Sequence, residues 1–442
     1  MTVKHVKDTG RGVGRVEPLP VQSLYAENAP AEFWRVLSDP VLTDGMWADA
    51  IAAATEKLPA SALKAGLDFG VLLEQMLGEG QFGEGHWRLS AAKRLYYGLK
   101  PAVPRAARRV LRQLYAPLAV ANFPLHWPIE DRYARFQWEV MRQLLVSTGK
   151  ETLLFIHFWP RELRFAFVLT HDIETWQGQA QVRRVADLEE ELGFRSCFNF
   201  VAEGYRIDQV LMRELRERGF EIGIHGLKHD GKLFQSATGF IQRAKQINRY
   251  LKQLESVGFR APLTHRNPEW MQALEIEYDS SFFDTDPYEP IPGGTMCIWP
   301  FVMGRFVELP YTLVQDYTLT EILGERSARL WLEKVRFIES YCGMALLNTH
   351  PDYLRMDRTW RVYVEFLQEM RRRGDYWHTL PREVARWWRA RASAAGPEAL
   401  AGAVLSDVRL SGDDLSISPI RERLRWPMAP TGSAASDGRL GL

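Results

Sequence analysis

The chain has 442 residues, 46% of them hydrophobic and 25% charged, with a formal net charge of +1. That length and balance describe one large domain with additions or two domains with a sizeable core, and the near-neutral charge gives no general attraction to nucleic acid. No run of ~18 uncharged apolar residues could span a bilayer, and three cysteines at unrelated spacings (Cys197, Cys297, Cys342) do not make a disulfide framework.

The start, "MTVKHVKDTGRGVG", is polar and lacks the apolar centre of a secretory signal, so a cytoplasmic setting is expected. Residues 1–30 read as a loose arm. Between 31 and 150 apolar residues recur at spacings of three and four, as in "AEFWRVLSDPVL" and "RYARFQWEVMRQLLVS", which predicts a helical extension. Within it, residues 93–115 ("KRLYYGLKPAVPRAARRVLRQLY") interleave seven basic residues with Leu, Val and Tyr. Such a piece is either a solvated helix face or a peripheral contact with an anionic membrane surface. No aromatic and basic signature of an RNA-binding module is present.

From 151 to 394 the pattern changes to short strands followed by helices. Strand-like runs are "FAFVL", "SCFNFV", "FEIGI", "RAPLT", "YDSSFF", "RFVEL", "MALLN" and "YWHTL", separated by helical stretches such as "VLMRELRERG" and "IQRAKQINRYLKQLESVG". Seven or eight such units, with no glycine-rich phosphate loop after the first strand, predict an α/β fold: a distorted (β/α) barrel of seven or eight strands with an N-terminal helical extension. Residues 395–442 mix Gly, Ala, Ser, Pro and charge without a period and read as a disordered tail.

In barrels of this kind the reactive groups sit where strands end. Asp172 and Glu174 follow the first strand, His225 and His229 the third, Arg266 the fourth, Asp284 and Asp286 the fifth, and His350 the seventh. His225 and His229 are four apart, so a helical turn would bring both imidazoles to one face, where they could share an ion; they need a third ligand. Asp172 and Glu174 are two apart and share a side of extended chain, so one could reach that ion while the other faces a bound water. Which does which is open, and a helix-capping role for Asp172 competes with both. His171 and His265 read as packed neighbours. Trp176, Trp270, Tyr288, Trp299 and Tyr353 lie near the rim in sequence and could stack on a bound ligand, although packing is the commoner role of such aromatics.

The ordered set "LTHDIET", "GFEIGIHGLKHD", "THRNPEW", "YDSSFFD" and "LLNTHP" resembles the polysaccharide deacetylases, carbohydrate esterases acting on chitooligosaccharide and peptidoglycan, over about residues 161–390. The resemblance implies a divalent metal, commonly zinc, held by Glu174, His225 and His229, with Asp172 as general base, Arg266 orienting it, and His350 as general acid. Backbone donors near Asn267 to Trp270 would face the oxyanion, and Trp270, Asp284 and Asp286 would meet substrate. Ile173 separates two carboxylates that are adjacent in many members, and Glu269 stands where an aromatic is common, which bears on the division of roles. The expected partner is an N-acetylated glycan or lipid-linked saccharide, in cell-surface polysaccharide synthesis. Two other readings are an amidohydrolase acting on a small non-sugar amide or ureide, and a catalytically silent carbohydrate-binding protein.

Overall fold

The computed structural model describes residues 21–58, 69–83, 85–89, 93, 105–412 and 414–420. Its strands, in chain order, are β1 (Val36–Leu37), β2 (Thr152–Ile156), β3 (Phe165–Ile173), β4 (Cys197–Phe200), β5 (Glu221–Ile224), β6 (Gly258–Phe259) and β7 (Tyr278–Asp279). They continue as β8 (Phe301–Met303), β9 (Phe306–Glu308), β10 (Met344–Thr349), β11 (Tyr376–His378), β12 (Leu405–Ser411) and β13 (Asp414–Pro419).

The larger sheet runs β10-β3-β4-β5-β6-β7-β9-β8, with β11 also on β3. Its pairs are parallel except the β8–β9 hairpin. All nine residues of β3 are buried, as befits a strand flanked by strands on both sides; Phe165 to Leu169 are an apolar run, and Thr170, His171 and Asp172 follow it. The sheet curls until the segment after β9 meets β10: the Thr312 and Leu313 amides each donate to the Leu346 carbonyl at 3.1 Å, and the Thr312 hydroxyl accepts from the Leu346 amide at 3.0 Å. An irregular segment therefore spans the gap between the last parallel strand and the first, which gives the distorted (β/α) barrel expected. The run "RAPLT" is a correction: the strand there is Gly258–Phe259, and Pro262–Thr264 is a short 3-10 turn.

Helices pack outside on apolar stripes. In Ala237–Gln253 the buried residues Phe240, Ala244, Ile247 and Leu251 repeat at helical spacing, and Ser236 caps the start by accepting from the Gly239 amide at 3.2 Å. Asp208 caps Gln209–Glu217 in the same way, accepting from Val210 at 2.9 Å and Leu211 at 3.1 Å. These caps fix where each loop leaves its strand and thereby where the rim residues stand.

A second sheet, β1-β2-β12-β13, is antiparallel throughout. It corrects the expected tail: Leu405 to Arg409 pair with Ile156 to Thr152, and residues 414–419 return as a hairpin. Residues 421–442 lie outside the described residues. The expected arm is corrected likewise from residue 21 on. Leu24 and Tyr25 are buried, and the Asn28 amide exchanges two hydrogen bonds of 2.8 Å with the Val302 backbone; residues 1–20 lie outside the described residues. Between 31 and 150 the described helices include Asp44–Glu56, Phe69–Leu77, Arg105–Ala121 and Arg132–Thr148. The domain boundary expected at 151 falls inside a joined structure, because β2 belongs to the second sheet and Arg391 donates to the carbonyls of Phe33 (2.8 Å) and Ile156 (2.7 Å). Among the described residues, no helix is long and apolar enough to cross a membrane.

Candidate active site

The C-terminal ends of five neighbouring strands, β10, β3, β4, β5 and β6, gather around a cavity of about 570 Å³. β3 delivers Asp172 and, just past its end, Glu174; β5 delivers His225 and then His229; β6 delivers Arg260; β10 delivers Asn348 and then His350. Parallel register sets Asn199 of β4 beside Asp172 and Asn348 of β10 beside Thr170. Ile173, between the two carboxylates, turns into the core and is fully buried, so Asp172 and Glu174 share the other side of the strand.

Asp172 is buried and accepts three hydrogen bonds: from Asn199 Nδ2 at 3.0 Å, Asn348 Nδ2 at 2.9 Å and Arg260 Nη1 at 3.3 Å. Burial opposes its charge, but Arg260 foremost, then His225 and His350, hold the carboxyl well below the usual carboxylate range. It is a fixed, ionised carboxylate. Glu174 Oε1 stands 3.0 Å from His229 Nε2 and 3.9 Å from His350 Nε2. Burial likewise opposes its charge, and His229 above all brings the carboxyl down to about 2.

His225 carries the sharpest signal. Its Nδ1 donates to the Arg260 carbonyl at 3.1 Å, which leaves Nε2 as an acceptor, and that buried atom has no hydrogen-bond partner. Burial pushes the ring down to about 4, so it is neutral at physiological pH. A neutral imidazole anchored through one nitrogen to a backbone carbonyl, with the other buried and unpartnered, is the arrangement metal-binding histidines adopt. Ligand atoms of Glu174, His225 and His229 all lie within 4.8 Å of one another, close enough for small reorientations to bring them onto one ion. The donor set of one carboxylate and two imidazoles suits zinc or a related divalent ion. A second group, His126, Glu130 and Asp131, is of another kind, because Glu130 already forms a buried ion pair with Arg132 at 2.5 Å.

His350 faces this centre from β10. Its Nδ1 is 2.7 Å from Asp316 Oδ1, and its backbone amide donates to Asp316 Oδ2 at 2.9 Å. Its Nε2 points between the carboxylates, 4.0 Å from Asp172 Oδ2. Burial opposes the charged ring, but Asp316, followed by Glu174 and Asp172, pushes it up to about 10. It can therefore carry and donate a proton.

Four expected roles are corrected. Arg266 does not meet Asp172: it forms a buried ion pair with Glu79, Nη2 to Oε1 at 2.5 Å, and Arg260 supplies the guanidinium at Asp172. Asp284 pairs with Lys334 at 2.8 Å in the interior. Asp286 is buried, bridges to Gly293, and accepts from the Tyr288 amide at 2.7 Å. Trp270 packs edge-on against Trp87 at 4.6 Å, and its amide donates to the Asn267 side chain at 2.9 Å, so that stretch closes its own turn. None of these four side chains lines the cavity.

His171 is packed as expected, bonded to Thr349 and Glu189 at 2.7 Å each; His265 is buried away from the cavity wall. Among the rim aromatics, Tyr288 and Tyr353 line the cavity, whereas Trp299 is core and Trp176 is exposed. Sequence reasoning missed Arg260, Asn199, Asn348 and Asp316. The strand-end rule would have found Arg260 had the strand been ended one residue before it.

Fold and site together define a (β/α)-barrel protein with a carboxylate and histidine centre at the strand ends. No family model matches the chain, and no curated protein matches it. Solved structures similar to it include a probable polysaccharide deacetylase from Pseudomonas aeruginosa PAO1, 16% identical with a TM-score of 0.43, over 53% of this chain and 95% of that one. Puue allantoinase is 16% identical with a TM-score of 0.43, over 52% and 92%. The Bc1960 peptidoglycan N-acetylglucosamine deacetylase is 12% identical with a TM-score of 0.34, over 51% and 89%.

Proposed function

We propose that the protein is a metal-dependent hydrolase that removes an N-acetyl or related acyl group from a sugar chain or glycoconjugate. The observation that carries this reading is the unpartnered, buried Nε2 of His225, set beside Glu174 and His229 and flanked by Asp172 and His350. Glu174, His225 and His229 would hold the ion. A divalent cation bound there would polarise an amide carbonyl and acidify a water. Asp172 fits the base and Glu174 the ligand, because Asp172 is already held by three donors while Glu174 turns toward the two histidines.

The residues divide the reaction as follows. Asp172 takes a proton from the attacking water as its oxygen bonds to the acyl carbon. So weak a base works only on a water already acidified, which suits the proposed centre. His350 then gives its Nε2 proton to the amide nitrogen as the carbon–nitrogen bond breaks, leaving a carboxylate and a free amine. Asp316 keeps that imidazole oriented and charged until the transfer. Asn199, Asn348 and Arg260 prevent Asp172 from rotating out of line.

The cavity volume, with Tyr288, Tyr317 and Tyr353 among its walls, suits a sugar better than a small ureide. Exposed Leu114, Tyr115 and Leu118 on the helix Arg105–Ala121 support a peripheral membrane contact and a lipid-linked saccharide as substrate. Of the basic residues expected in that contact, Arg94, Lys100, Arg105, Arg108 and Arg109 have side chains outside the described residues. The reading is tested by acetate release from N-acetylated oligosaccharides, set against small amides and ureides, with added zinc. Release from the sugars supports it; turnover of ureides alone would make the protein an amidohydrolase of another class, and glycan binding without turnover would make it a binding protein.

A further inference from the structure

Glu174 stands just past the sheet. The pairing register of β3 stops at His171 toward β10 and at Ile173 toward β4, and side chains take hold of the chain where the strands let go. The Tyr205 hydroxyl donates to the Ile173 carbonyl at 2.6 Å, and the Glu174 amide donates to Asp352 Oδ2 at 3.2 Å. These two bonds end on one peptide unit, its oxygen on one side and its nitrogen on the other, so that the plane carrying Glu174 is fixed at both ends.

Asp352 lies two residues beyond His350, in the short helix Pro351–Leu354. Its other oxygen accepts from the Thr175 hydroxyl, which in turn accepts from the Gly178 amide at 3.2 Å and starts the turn Trp176–Gln179. The two loops touch so closely that a Cβ at Gly178 would lie 2.0 Å from Asp352 Oδ2 and 2.6 Å from its Cγ. Gly178 is not among the residues with positive φ, so this close approach, and not an unusual backbone angle, is what calls for glycine there.

From this geometry we propose that Asp352 and Tyr205 are positioning residues, which clamp the Ile173–Glu174 peptide and so aim the Glu174 carboxylate at the ion shared with His225 and His229. The inference rests on the metal centre of the proposed function and adds to it the parts that set its affinity. Neither residue is offered as a ligand. A carboxylate on a loose loop end would lose orientation before it met the ion, and partners one step behind a ligand commonly govern affinity for that reason.

The test measures zinc affinity of full-length protein by competition with a chromogenic chelator, with the melting temperature of each metal-free variant recorded alongside. Tyr205→Phe and Asp352→Ala should each weaken zinc binding about tenfold or more. Asp352→Asn keeps an acceptor oxygen but not the charge, so it should hold zinc more tightly than Asp352→Ala; equal losses in the two would mark a plain charge effect and overturn the clamp. Tyr205→Phe changes no charge and gives the same check if Asp352→Ala does not fold. Because both bonds hold one peptide, the double variant Tyr205→Phe, Asp352→Asn should lose less than the product of the single losses. Lower melting temperatures with unchanged zinc affinity would make both residues structural only and overturn the proposal. If it fails in this way while the unsubstituted protein binds zinc and releases acetate, the deacylase reading stands. If zinc binding responds as expected but no substrate is turned over, the clamp stands and the deacylase reading falls; an unsubstituted protein that binds no zinc overturns both.

Discussion

Arg260 and Asp172 form the buried ion pair at the floor of the site, Nη1 to Oδ1 at 3.3 Å, while Arg266, six residues later, is turned to Glu79. The turn has a local cause: Leu263 and Thr264 both adopt left-handed backbone angles (φ 60° and 50°), which redirect the chain between the two arginines. The two should behave differently when removed. Arg260→Met is expected to abolish most hydrolysis, because Asp172 loses its fixed partner. Arg266→Met is expected to leave activity in the surviving protein but to lower stability by about 3–5 kcal/mol, the usual cost of breaking a buried pair. Glu79→Gln should act like Arg266→Met, and denaturant midpoints with acetate assays check all three. Gly293→Ala belongs to the same group, since its Cβ would lie 2.2 Å from Glu79 Oε1 and 2.4 Å from Arg266 Nη2.

Asp316 has a catalytic consequence without touching substrate. Asp316→Asn removes the charge that keeps His350 protonated, so turnover should fall about 100-fold or more, the range of a lost general acid. Zinc content should not change, because Asp316 is not among the clustered ligands. Parallel metal analysis and kinetics on one preparation check both halves.

Much of this was legible in the sequence, and the misses have physical reasons. The strand and helix periods located β3, β4, β5, β9, β10 and β11, since each is an apolar run bounded by turn residues. The strand-end rule then picked out the two carboxylates and three histidines that the structure brings together. Arg260 was hidden because "RAPLT" reads as a strand beginning with it, whereas the strand ends before it. Asp316 stands at the entry of the short π-helical turn Thr318–Ile322, which is too brief for a period to mark a facing side. The second sheet was missed for a different reason. β12 and β13 do alternate around a turn at Gly412 (φ 63°), but the surrounding Gly, Ala and Ser composition outweighed that short signal.

Removing that sheet's last strands should matter. Ending the chain after Val404 would strip five paired positions from β2 and leave an unpaired edge over the core. The truncated protein is expected to aggregate and to melt at lower temperature than the full chain. Light scattering and calorimetry distinguish the two.

Glu221 gives stability a pH dependence away from the site. Burial pushes its carboxyl up to about 7, against an ordinary value near 4.5, while the Arg382 amide and the Tyr278 hydroxyl only partly offset it. The folded state thus holds a proton that the unfolded state releases at lower pH. This contribution is full below about pH 4.5 and is lost as pH rises through about 7. Glu221→Gln cannot ionise, so its melting temperature should gain on the unsubstituted protein by a few degrees between pH 6 and 9. Parallel melting curves for the two proteins would contradict the burial effect.

The central claim is that Glu174, His225 and His229 hold a catalytic divalent ion. Elemental analysis of full-length protein, dialysed against zinc and desalted, tests it most directly. The account predicts about one ion per chain, lost in His225→Ala but retained in an inactive Asp172→Asn. Protein that takes up no divalent ion, or a His225→Ala variant that binds it as before, would contradict the account.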